Sequence, residues 1–99
     1  MNSTGTARLG ELSRGEGGEI VSVVGESEEL VQRLLAMGLL EGSDVEVVHE
    51  APFGGDPVAV RVRGALLALR RSEANYITVS LRLNPVRLNT VTTKSSLHE

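Results

Sequence analysis

Cysteine is absent from this chain of 99 residues. That removes a disulfide framework, a thiolate-held zinc or iron–sulfur centre, and a cysteine nucleophile, and it is compatible with a reducing compartment. Aromatic side chains are almost as scarce, with one Tyr, one Phe and no Trp, too few to form a platform on which unpaired bases stack. Basic charge is not in excess either. Ten Lys and Arg stand against thirteen Asp and Glu, for a formal charge of −3, which argues against nucleic-acid binding by counterion release. Apolar runs are short: Ala65–Leu69 is about as long as they become, whereas a bilayer span needs roughly 20 residues. Met1–Arg8 carries no apolar segment of the secretory kind. The expected location is therefore the cytoplasm.

What is present suits one small domain, 40% apolar and 23% charged, with no room for a second core. No repeat recurs at a period of about 20 to 50 residues. Residues 1–8 are polar and read as a flexible terminus, the domain is expected over 9–83, and 84–99 read as a polar, disordered tail. Within that tail Val86 and Leu88 leave open a short docked strand.

Gly15, Gly17 and Gly18 mark a loop, followed by a first strand around Ile20–Val24. Ser27 stands at an N-cap position, with Glu28 and Glu29 behind it in the first turn of a helix. Leu30, Val31, Leu34 and Leu35 recur at one-face helical spacing, and Gly38 supplies the stop. Val45, Val47 and His49 then alternate with Glu46, Val48 and Glu50 in a second strand. Pro52, Gly54 and Gly55 require a loop, and Pro57 opens a third strand. In that strand Val58, Val60 and Val62 face one way while Ala59, Arg61 and Arg63 face the other. A tight connection at Gly64 leads to Leu66–Arg70, a helical turn over Ser72–Asn75 follows, and Ile77, Val79 and Leu81 form a fifth strand. Five short strands, one helix and a helical turn predict a mainly β fold, a small barrel whose closure removes exposed edges.

The chemical inventory is thin. His98 lies in the tail and His49 stands alone among glutamates, so the chain cannot assemble a histidine metal cage. Glu26, Glu28 and Glu29 read as a solvated first turn that complements the helix dipole. The stretch Gly15–Gly18 precedes a strand, whereas a phosphate-cradling loop follows a strand and opens a helix. No catalytic residue, metal site or cofactor is expected. The hairpin is the informative feature: its outer face would show Arg61, Arg63, Leu66, Ala68 and Arg70, with Arg71 beside it. An apolar side chain set among arginines has interface composition and would suit an acidic partner surface. A plain solvated strand face is the alternative. The Met37–Leu40 turn, with Leu40, and the loop bearing Phe53 are the next candidates for a partner contact.

The segments Arg33–Gly42, Ala51–Val58 and Leu69–Ala74, with Ile77 and Val79, together resemble the ferrous iron transport protein A family, FeoA, over about Leu9–Leu81. The resemblance implies an SH3-like barrel, cytoplasmic and bacterial, that acts without catalysis as an accessory to the membrane ferrous iron transporter FeoB. The implied contact is that transporter's cytosolic GTPase region. Glu41 departs from the family's usual proline, and Leu66 stands where the family is usually polar. The same barrel occurs as the C-terminal domain of iron- or manganese-dependent repressors, so a ligand- or metal-sensing regulatory domain is the alternative. Short apolar strand edges also leave weak self-association open.

Overall fold

The computed structural model describes residues 5–82. The expectations for the polar tail at 84–99 and for residues 1–4 of the N-terminus lie outside them. The described residues form one antiparallel sheet of six strands in the order β1-β6-β2-β3-β4-β5. The strands are β1 (Thr6–Arg8), β2 (Gly17–Val23), β3 (Asp44–Glu50), β4 (Val58–Val62), β5 (Ala65–Leu69) and β6 (Ile77–Leu81). A 3-10 turn (Leu9–Glu11), α1 (Glu28–Ala36) and a short α2 (Arg71–Ala74) connect them.

The five expected strands are all present, and β1 is the sixth. It falls where a flexible terminus was expected: Ala7 pairs with Val79, flanked by Thr6 with Ser80 and Arg8 with Thr78. A strand of three residues carries too little alternation to be read from sequence. The sheet bends around a single core built from Leu9, Ile20, Val45, Val47, Val58, Val60, Val62, Leu69, Ile77 and Val79, with Leu34 and Leu39 closing it from the helix side.

Two irregularities tighten that bend. In β2, Ile20 pairs with Val79 and Ser22 with Thr78, leaving Val21 as an extra residue. In β3, Val47 pairs with Val60 and His49 with Ala59, so Val48 is extra. Such bulges increase local twist and reverse the facing of every residue beyond them. Val23 is accordingly buried and Val21 exposed, and His49 turns out to solvent although it shares a period with Val45 and Val47.

Gly17 and Gly18, expected in a loop, lie within β2 where β3 and β6 crowd it from both sides. A Cβ on Gly17 would stand 2.1 Å from the Val45 carbonyl oxygen, and one on Gly18 would stand 1.9 Å from that of Ser80. Glycine is needed here for close approach of backbone to backbone.

The helix follows its signals closely. The Ser27 hydroxyl accepts from the Leu30 N–H at 3.1 Å. At the other end the Gly38 N–H donates to Leu35 and the Leu39 N–H to Leu34, with Gly38 at φ +99°. This paired closure satisfies the last carbonyls and brings Leu39 back onto Leu34. Among the described residues the sheet does not close on itself. β1 and β5 are its two edges, and the 3-10 turn packs against α2 at the gap.

Candidate functional site

The β4–β5 hairpin is joined by Arg63 and Gly64, both at positive φ (52° and 84°), the signature of a type I′ turn whose twist matches the flanking strands. Pairing runs Val62 with Ala65, Arg61 with Leu66, Val60 with Leu67, Ala59 with Ala68 and Val58 with Leu69. The valines and Leu69 point into the core, so Arg61, Leu66 and Ala68 point out. Leu66 is 63% exposed, which leaves an isobutyl group in water beside an arginine.

Of the residues expected on this face, the structure keeps Arg61, Leu66 and Arg70 at the surface and alters the roles of two others. Arg63 is exposed but belongs to the turn rather than to the strand. Its stem leans toward Gly38, whose added Cβ would lie 3.7 Å from the Arg63 Cδ, which places the turn beside the chain leading to Leu40. Arg61 is held by Glu46 of β3, at 3.6 Å. Arg63 and Arg70 have no carboxylate within 4.0 Å among the described residues.

Arg71 is not part of the outer face. Its guanidinium turns inward, donating through Nε to the Gly55 carbonyl at 2.8 Å. Nη1 donates to the Gly10 and Leu12 carbonyls at 2.9 Å each, and Nη2 donates to Glu50 Oε1 at 2.9 Å. The planar fork of arginine can satisfy several acceptors at once where a lysine cannot. The Arg71 N–H in turn donates to Asp56, and Glu50 also accepts from the Arg14 N–H. Glu50 reaches this point because the Val48 bulge reverses its facing. The cluster ties the 3-10 turn, β3, the β3–β4 loop and α2 together. Its signal in the sequence is only a Glu and an Arg 21 residues apart, which no local pattern distinguishes from surface charge.

The β3–β4 loop thus stapled carries Phe53, which is 91% exposed. It lies at the opposite end of β4 from the Arg63 turn, at the end where β5 runs into Arg70. Leu40, 39% exposed, lies with the Arg63 end. The candidates therefore form a strip along the hairpin rather than a pocket: Leu40 and Arg63 at one end, Arg61 and Leu66 in the middle, Arg70 and Phe53 at the other.

A cleft of about 460 Å³ opens elsewhere, between the Val24–Glu26 loop, α2 and the start of β6, with Arg8 and Tyr76 on its walls. The Tyr76 ring lies over Gly25, where a Cβ would come within 2.2 Å of it, and its hydroxyl accepts from the Ser27 N–H at 3.1 Å. None of the residues expected to contact a partner lines this cleft, although Glu26 does. Among the described residues no three His, Asp or Glu gather as a cation site, and no helix is long and apolar enough to cross a membrane.

The FeoA domain family matches residues 7–81. Among solved structures, the FeoA protein of Chlorobium tepidum is 39% identical, with a TM-score of 0.69 over 78% of this chain and 71% of that one. FeoA of Stenotrophomonas maltophilia, described as a prokaryotic SH3 domain protein and solved in complex with zinc, is 30% identical, with a TM-score of 0.66 over 84% of this chain and 99% of that one. The IdeR protein of T. acidophilum shares the fold at 22% identity and a TM-score of 0.66, over 83% of this chain and 37% of its own length.

Proposed function

Because the chain belongs to the FeoA family, whose members are small SH3-like accessory domains of ferrous iron transport, we propose that it is a non-enzymatic cytoplasmic accessory protein that binds the cytosolic part of a FeoB-type transporter. The observation that carries the docking face is the pairing of an exposed leucine with arginines that lack carboxylate partners among the described residues. Leu66 stands 63% exposed between Arg63 and Arg70 on a protein whose net charge is −3. Interfaces combine apolar and arginine side chains in this way, and a local positive field on an acidic molecule steers it toward an acidic surface. The protein reaches the membrane only through that partner. No nucleic acid, cofactor or resident metal enters the reading. The rival reading, a ligand- or metal-sensing regulatory domain like that of the repressors, draws on a likeness of fold alone.

The test is surface plasmon resonance on the purified cytosolic region of the transporter at low and moderate salt. Exchanging Arg63 and Arg70 together for Glu should slow association about tenfold at low salt and flatten its salt dependence. Arg61 is left in place, because its loss would strand Glu46. The pair Glu28→Lys and Glu29→Lys shifts net charge by the same amount in the opposite direction and should not slow association. Circular dichroism checks that each variant is folded. Equal association by the Arg63 and Arg70 variant and the unchanged protein would remove this face from the contact.

A further inference from the structure

β5 is an edge strand whose sequence, Ala65–Leu69, contains no charged residue. Edges of this kind are ordinarily blunted by lysine, proline, a bulge or a covering element, and β5 has none of these among the described residues. Its register shows what the edge offers. The two-residue turn makes Val62–Ala65 a hydrogen-bonded pair, and every second pair beyond it, Val60–Leu67 and Val58–Leu69, is of the same kind. Leu66 and Ala68 therefore direct their N–H and C=O groups away from β4, and no described residue supplies a backbone partner for them. Four backbone groups thus line an open edge, with the exposed Leu66 side chain on the outer face above them.

From this geometry we infer that β5 accepts an added strand, and that the strand is an extended partner segment, apolar at its centre with carboxylates at both ends. Main-chain hydrogen bonds supply affinity in such additions, and alternate side chains supply specificity. Arg63 precedes β5 and Arg70 follows it, both without a carboxylate partner among the described residues. The strand between them, Ala65–Leu69, is five residues long, so the carboxylates of the added segment flank a stretch of about five residues. A second copy pairing antiparallel through Leu67 would instead set Arg70 against the Arg63–Gly64 turn of its mate, placing like charges together. Complementarity therefore favours the acidic-ended segment. The inference deepens the accessory reading and rests on it for the source of the segment, the transporter's cytosolic region.

The experiment is amide exchange by NMR on the full chain, alone and with that purified region. The Leu66 and Ala68 amides should exchange freely alone and slow by at least about tenfold in the complex. Ala68→Pro removes an outward N–H that β4 does not use, at an edge position where proline is tolerated, and should weaken binding about tenfold. Ala68→Ser should bind as the unchanged protein does. Leu66→Glu, which leaves the backbone intact, should also weaken binding and guards against a folding failure of the proline variant. Binding without protection of these amides, or undiminished in both the Ala68→Pro and Leu66→Glu variants, overturns the strand addition and leaves the accessory reading standing. If the cytosolic region does not bind, a synthetic peptide alternating valine and threonine between terminal glutamates decides. Protection by the peptide upholds strand addition while the transporter reading falls, and no protection overturns both. Protection that rises with protein concentration alone, together with a dimer in sedimentation, assigns the edge to a second copy and overturns the inference. Slow exchange already in the dilute free protein does so too, since the edge would then be filled.

Discussion

Arg71 shows how far a side chain's role can lie from its sequence neighbourhood. Between Arg70, which is exposed, and Ser72, it turns into a space bounded by Gly10, Leu12, Glu50 and Gly55. Three carbonyls and one carboxylate share one guanidinium, so its removal leaves several half-buried acceptors poorly satisfied. Hydrogen bonds to a charged group contribute about 1.5 to 3 kcal/mol each and are not additive. On that scale Arg71→Ala should destabilise the fold by about 3 kcal/mol, and Arg71→Lys, which keeps charge but not the fork, by about 2 kcal/mol. Glu50→Gln should cost about 1 kcal/mol or less, since the pair is partly open to solvent. Urea denaturation of the three variants gives that order directly, and equal midpoints for Arg71→Lys and the unchanged protein would contradict the staple.

Among the elements, α1 is where local signals and tertiary packing agree most closely. Its cap, its stop and its apolar spacing are all sequence-local, and the resulting stripe lays Leu34 into the core at 0% exposure while Leu35 stays half-buried. Leu34→Ala should therefore cost about 2 to 5 kcal/mol, including the cavity it opens, and Leu35→Ala about 1 kcal/mol. Ser27→Ala should remove about 1 kcal/mol by freeing the Leu30 N–H. Denaturant melts of the single variants measure all three. Losses below about 0.5 kcal/mol at Leu34, typical of ordinary surface sites, would mean the helix does not cover the core. The hairpin behaves similarly, because Val58, Val60 and Val62 lie in an unbroken period of two and the turn follows at once. Of the expected strands, the two whose facing departs from a plain alternation, β2 and β3, are those with bulges, where one inserted residue reverses the facing of those that follow.

At the scale of the molecule, charge is distributed unevenly. Acidic residues gather at the start of α1, while the hairpin edge carries Arg61, Arg63 and Arg70 beside apolar Leu66. The imbalance suits the docking face proposed above. There is no cysteine, His49 stands exposed on β3, and a tight ferrous or zinc site needs three or four converging ligands. Calorimetric titration of metal-free protein with ferrous iron or zinc should accordingly show no stoichiometric site of sub-micromolar affinity, and such a site would overturn the reading. That the relative from Stenotrophomonas maltophilia was solved with zinc makes zinc the metal to titrate first.

The sequence by itself determined the mainly β class, the helix with both its ends, the five longer strands and the outward facing of Arg61 and Leu66. Each of these is encoded within a few residues: a capping serine, a glycine after the last turn, an alternation of valine with polar partners. Tertiary structure decided the rest. The three residues of β1 form a strand because β6 is there to pair with them. Gly17 and Gly18 belong to a strand because two neighbours crowd its backbone. His49 faces out and Glu50 reaches Arg71 because Val48 bulges against β4. Arg63 left the strand face for the turn, and Arg71 left the outer face because its acceptors, as far away as Gly10, 61 residues earlier, meet only once the sheet has curled. Long-range hydrogen bonds and backbone crowding leave no periodic trace in a sequence, whereas caps, stops and alternation act through neighbours along the chain and can be read there.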